Sequence, residues 1–131
     1  MQLRHAEKEN IMNASILARE LNKEENIEAI VNGKVMGLSG VEHVLDILIR
    51  KPCNIAIILP ERTKEIAAEV IKAVVMTIDT KIPIIFPVSK QRSENIVFDL
   101  IREYPIVVIP YERVDELIFK IKNTIFDICC K

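Results

Sequence analysis

Asn54-Ile-Ala-Ile-Ile-Leu-Pro60-Glu61-Arg62 is an apolar run stopped by proline, and a helical pattern follows it from Glu61 to Ile78. Such a run reads as a buried strand feeding a helix. The phrase returns as Ile106-Val-Val-Ile-Pro110-Tyr111-Glu112-Arg113 and, more loosely, as Ile84-Ile-Phe-Pro87-Val-Ser-Lys90-Gln-Arg92. All six prolines fall into pairs, Pro52 with Pro60, Pro83 with Pro87 and Pro105 with Pro110, each bracketing an apolar run of strand length. Proline has no N–H to give a ladder, so it is expected to punctuate a central strand and not to sit inside one.

Working outward, Ala6 to Leu21 places Ile11, Ala14, Leu17 and Leu21 at helical spacing, with Asn13 toward solvent. Asn22 and Glu25 form a capping box for a short helix carrying Ile27, Ile30 and Val31, which Gly33 would stop. A rival reading makes Ile27–Val31 and Lys34–Leu38 two strands joined by an Asn32-Gly33 turn. Val35–Leu38 is a strand in either case. Ser39-Gly-Val-Glu42 is a second capping box, and its helix would turn Val41, Val44, Leu45 and Leu48 inward and His43 and Asp46 outward. Ser93 is the expected cap of a helix with Ile96, Val97, Leu100 and Ile101 inward, and the last helix runs from Glu112 to Cys129.

Strands alternating with helices, and written as continuous apolar runs, predict a single compact α/β domain. The expected architecture is a four-stranded, mostly parallel sheet (Val35–Leu38, Asn54–Leu59, Ile82–Phe86, Ile106–Ile109). It is doubly wound in the Rossmann-like or flavodoxin-like manner, with helices on both faces and an extra N-terminal helix.

In this chain of 131 residues, 18 Lys and Arg against 19 Asp and Glu give a net charge of −1, so no overall footprint for nucleic acid is expected. No apolar run approaches the roughly 18–20 residues of a membrane span, and the charged start Met1-Gln-Leu-Arg-His-Ala-Glu-Lys-Glu lacks the apolar stretch of a signal peptide. A soluble cytoplasmic protein is the expectation, with neither nucleic acid nor membrane as partner. Isoleucine, at 23 residues, and the Lys/Glu-rich polar set suit a thermophile.

Chemistry in an open parallel sheet belongs at the carboxyl ends of its strands. Those ends carry Ser39 and Gly40, Glu61 and Arg62, Ser89, Lys90 and Arg92, and Glu112 and Arg113. Helix N-termini and four cations there would suit a phosphate- or carboxylate-bearing small molecule. No glycine-rich phosphate loop is present, since the glycines are only Gly33, Gly37 and Gly40. The histidines, His5 and His43, stand at no nucleophile–base spacing, and Ser39 reads as a cap. Cys53 reads as a small core filler, and Cys129-Cys130 as an apolar helix end or an oxidation-sensitive pair. No catalytic residue, metal or cofactor follows, and binding or assembly is expected over catalysis. An enzyme acting on a phosphorylated metabolite through Ser39 or Ser89 is the alternative.

Asn54-Ile-Ala-Ile-Ile-Leu, the Glu65-Ile-Ala-Ala-Glu helix and Ile82-Pro-Ile-Ile-Phe-Pro-Val-Ser89-Lys90 resemble the central βαβ unit of the F subunit of A/V-type ATP synthases. That resemblance implies a doubly wound domain that acts by contact with a rotor. The family's opening strand and acidic turn have no counterpart here, and Pro105 to Lys131 is additional. Phe119 and Phe126 lie off the inward stripe of the last helix, which points to a homo-oligomer formed through that helix.

Overall fold

Ile47, Leu48 and Ile49 are consecutive and all buried, which a strand covered on both faces permits and a half-buried helix does not. The structure, a computed structural model, describes residues 13–130. Its elements are α1 (Ala14–Leu21), β1 (Glu28–Met36), β2 (Glu42–Lys51), β3 (Ile55–Ile57), α2 (Ile66–Thr80), β4 (Ile84–Ser89), α3 (Lys90–Ser93), a 3-10 turn (Phe98–Leu100), β5 (Ile106–Tyr111) and α4 (Val114–Cys129). The strands form one sheet in the order β1-β2-β3-β4-β5. The β1–β2 and β2–β3 pairs are antiparallel, and β3–β4 and β4–β5 are parallel.

This mixed five-stranded sheet, in which antiparallel pairing predominates, overturns the expected four-stranded, mostly parallel, doubly wound one. It also removes the doubly wound topology that the F-subunit resemblance implied, although the β3-α2-β4 unit is a parallel βαβ as expected. The misreading lies in residues 22–51. One strand, β1, runs through Asn32-Gly33 and replaces both the helix after Asn22 and the rival hairpin turning there. β2 replaces the helix expected from the Ser39–Glu42 capping box. That helix would have left Ile47 and Ile49 facing outward, whereas β2, paired on both sides, buries them.

Asn32 nevertheless has left-handed backbone, with φ 57°, a conformation asparagine tolerates better than most residues. The strand changes face at this residue: Ala29 and Val31 pack in one core and Val35 in the other. At Gly33 a Cβ would lie 2.4 Å from that of Leu48, so only glycine lets the two strands approach there.

The α1 helix starts at an Asn13 cap whose Oδ1 accepts the Ser15 and Ile16 N–H groups; the expected turns before it, and His5, lie outside the described residues. Asn22 caps no helix N-terminus. Its side-chain amide exchanges hydrogen bonds with the N–H and C=O of Ala29, at 2.7 and 3.0 Å, and so covers part of the open edge of β1.

Proline also departs from expectation, because Pro87 lies inside β4. The Ile84 N–H points to β5, where it bonds the Pro105 carbonyl, and the Ile85 carbonyl points to β3. By alternation the missing Pro87 N–H also faces the β3 side, but β3 pairs with β4 only through Ile84 and Ile85. The ladder stops at that level, because the Ile58 N–H still bonds the Ile85 carbonyl but Pro87 has no N–H to return to Ile58. Pro110 lies in the edge strand β5 and is exposed.

Two cores result. α2 and the segment 90–101 cover one face of the sheet, around Phe86, Ile84 and Val70, while α1 and α4 cover the other, around Ile55, Ile57, Leu117 and Ile121. The helix expected after Ser93 is reduced to α3 and a 3-10 turn, with Ser89 as the cap in place of Ser93.

Cys53 is more than a core filler. It is disulfide-bonded to Cys129, 76 residues away, which ties the β2–β3 turn to the end of α4 and leaves Cys130 exposed. Closing a loop of that length restricts the unfolded chain by about 4 kcal/mol in the chain-entropy view. Cys53→Ala/Cys129→Ala is expected to lose about 2–4 kcal/mol in urea unfolding relative to the oxidised wild type, and reduction of the wild type should reproduce that loss.

Candidate functional site

The segment joining β3 to α2 has little secondary structure, and three side chains fix it. Asp46 of β2 accepts the Leu59 N–H at 2.7 Å, and the buried Glu69 of α2 accepts the Glu61 N–H at 2.9 Å while lying 3.3 Å from Lys72. From the other side, the Arg92 guanidinium donates Nη2 to the carbonyls of Lys64, at 2.7 Å, and Glu61, at 3.2 Å. Burial raises the Asp46 pKa, and the Leu59 hydrogen bond opposes that rise.

This anchored loop carries Arg62 to the rim of a cleft of about 770 Å3, within the size range of small-molecule sites. The cleft opens at the carboxyl ends of β4 and β5 and is lined by Arg62, Ser89, Lys90, Gln91, Arg92, Glu94, Tyr111 and Glu112. Ser89 Oγ accepts the Arg92 backbone N–H at 3.3 Å, which sets the start of α3. Tyr111 is half-buried at the end of β5; burial raises its phenol pKa, and the positive charges of Arg92 and Arg62 work against that rise. Lys90 and Glu112 face each other at 3.8 Å, both largely exposed, a separation at which an ion pair contributes little.

Of the residues expected at the site, Arg62, Ser89, Lys90, Arg92 and Glu112 meet in this cleft. Glu61 contributes its backbone to the Arg92 anchor and its carboxylate lies 3.8 Å from Lys72. Arg113 is outside, in a bidentate pair with Asp115 at 2.9 and 3.2 Å. Tyr111, Gln91 and Glu94 were not singled out by sequence. The signal for Tyr111 was its place as the one inserted residue in the second strand-Pro-Glu-Arg phrase.

Ser39 and Gly40 lie elsewhere, in the turn between β1 and β2. Ser39 does not cap a helix: its N–H and Oγ both donate to the Asp79 carboxylate at 2.8 Å, and His43 Nε2 lies 2.6 Å from the same group. His43 is accordingly no solvated helix residue but a largely enclosed one. A Cβ on Gly37 would fall 1.8 Å from Asp79 Oδ2, and Gly40 holds φ 88°. These glycines serve the docking of a hairpin tip onto the end of α2. Serine and histidine both address the aspartate, so no serine–histidine relay forms.

Among the described residues, no cluster of His, Cys, Asp and Glu could hold a metal ion, and no helix is long and apolar enough to cross a membrane. Comparison with protein-family models, curated proteins and solved structures gives no match.

Hydrogen bonds from His43 and then from Ser39 hold the Asp79 pKa below its ordinary value. A depressed carboxylate contributes stability above its unfolded pKa and loses it as pH falls through the folded one. Asp79→Asn should therefore lose stability less steeply than wild type below about pH 4. Asp46, shifted upward, works in the other direction: its contribution is present below the unfolded pKa and is lost as pH rises through the folded value. Asp46→Asn should remove a decline in stability above about pH 4. Urea midpoints measured across the acid range check both.

Proposed function

We propose that the chain is a binding domain for a small phosphate- or carboxylate-bearing molecule, held in the cleft at the carboxyl ends of β4 and β5. One observation carries the reading: Arg62, Lys90 and Arg92 line one cleft together with the hydroxyl-bearing side chains Ser89 and Tyr111. Guanidinium, ammonium and hydroxyl groups are donors of the kind an oxyanion needs. Glu94 and Glu112 on the rim offset part of the positive charge, which favours a ligand with hydroxyl or amino groups beside its anionic end over a bare polyanion.

Catalysis on a phosphorylated metabolite is the alternative, and Ser89 is the residue it would use, since Ser39 is bound to Asp79 away from the cleft. Among the described residues no histidine lines the cleft to serve as its base.

A thermal-shift screen of nucleotides, sugar phosphates and dicarboxylates should raise the melting temperature with at least one anionic compound. Titration calorimetry of that compound should then show about tenfold or greater weakening in Arg62→Ala and in Tyr111→Phe, with secondary structure unchanged. Binding unaffected by both substitutions would overturn the assignment of the cleft. Turnover of the bound compound that Ser89→Ala abolishes would replace binding by catalysis.

A further inference from the structure

The α2 helix carries two apolar seams. Ile66, Val70, Ala73 and Thr77 are buried against the sheet. Ala68, Ile71, Val75 and Ile78 are exposed on the opposite side, and their spacing of three, four and three residues is that of a helix–helix seam. The broad apolar face of this helix therefore exceeds what the sheet covers. Ile71, Val75 and Ile78 are 61%, 54% and 49% exposed. The Leu38 N–H bonds the Asp79 carbonyl at 2.8 Å, which brings Leu38, 77% exposed, to the last turn of the same helix.

We infer that this face pairs with a second copy of the chain, the two α2 helices lying antiparallel about a twofold axis near Val75. Such an axis sets Ile71 of each copy opposite Ile78 of the other and Val75 opposite itself, so the seam complements its own image. A twofold contact also brings like charges together, and here the cation beside the seam, Lys72, is paired with Glu69. Leu38, Ile71, Val75 and Ile78 each present on the order of 100 Å2, about 400 Å2 per chain, half of the roughly 800 Å2 per partner that a stable interface buries. The C-terminal helix offers less for this purpose. Phe126 packs against the core beneath it, and Phe119 alone of the two phenylalanines is exposed, at 67%.

Sedimentation equilibrium at about 50 µM should find a dimer, and Ile71→Glu/Ile78→Glu should weaken association at least tenfold with unchanged circular dichroism. Phe119→Ser should leave association as it is. In a Cys130→Ser background, which leaves the Cys53–Cys129 bond in place, Val75→Cys should give a covalent dimer on mild oxidation, and Lys34→Cys should not. A wild-type chain that stays monomeric overturns the inference, whether the seam then takes another protein's helix or nothing. A dimer dissociated by Phe119→Ser and indifferent to the glutamates, or one in which Val75→Cys does not cross-link, overturns it equally.

Discussion

A sheet whose strands lie in chain order constrains everything attached to it. Parallel crossovers are right-handed, so two successive crossovers moving in one direction along the sheet must pass over the same face. α2 and the segment after β4 do so, and the opposite face is left to the two helices at the ends of the described chain. A doubly wound sheet gains its ligand crevice where the crossovers diverge to opposite faces, and no such point exists among β3, β4 and β5. The cleft here has another origin. The first crossover carries a helix of 15 residues, whereas the second carries four helical residues and a 3-10 turn. The thin second crossover leaves room at the carboxyl ends of β4 and β5, and Arg62 and Arg92 reach that space from neighbouring loops.

The antiparallel half of the sheet is fixed to the parallel half by polar joints as well as by side-chain packing. Midway along it Asp46 takes the Leu59 N–H just after β3 ends, and at its tip Asp79 gathers Ser39 and His43. Across from Asp46 the hairpin changes face at Asn32, so that its root packs with α1 and α4 and its outer part with α2. Left-handed backbone at one asparagine lets a single hairpin serve both.

The parallel strands were legible because β3, β4 and β5 are short apolar runs ended by turn residues, and because α2 and α4 have helical apolar spacing. The hairpin was not. Val41, Val44, Leu45 and Leu48 satisfy a helical period by coincidence, and Ser39-Gly-Val-Glu42 has the composition of a cap while its serine serves an aspartate forty residues away. The cap reading looked for a local partner, and the partner of Ser39 is distant. Ile47 and Ile49, homeless on the helical reading, carried the contrary signal. At the site, strand ends led to Arg62, Ser89, Lys90, Arg92 and Glu112. The structural use of Arg92 and the placing of Tyr111 depend on how two loops approach each other, and no spacing in the chain encodes that approach. The Cys53–Cys129 pair was hidden for the same reason.

That disulfide divides the chain mechanically. From Cys53 to Cys129 the backbone is a closed covalent ring holding β3, α2, β4, β5 and α4, while α1 and the hairpin hang from it as one arm. Tension applied at the C-terminal end cannot peel α4 away, because the load passes through sulfur to the turn between β2 and β3 and returns to the sheet at its middle. Tension on the other end meets no such crosslink and is borne first by the packing of Leu17 and Leu21 and then by the hydrogen bonds of the hairpin. The two ends of the described chain are thus held by different means, one by a covalent bond and the other by packing and hydrogen bonds.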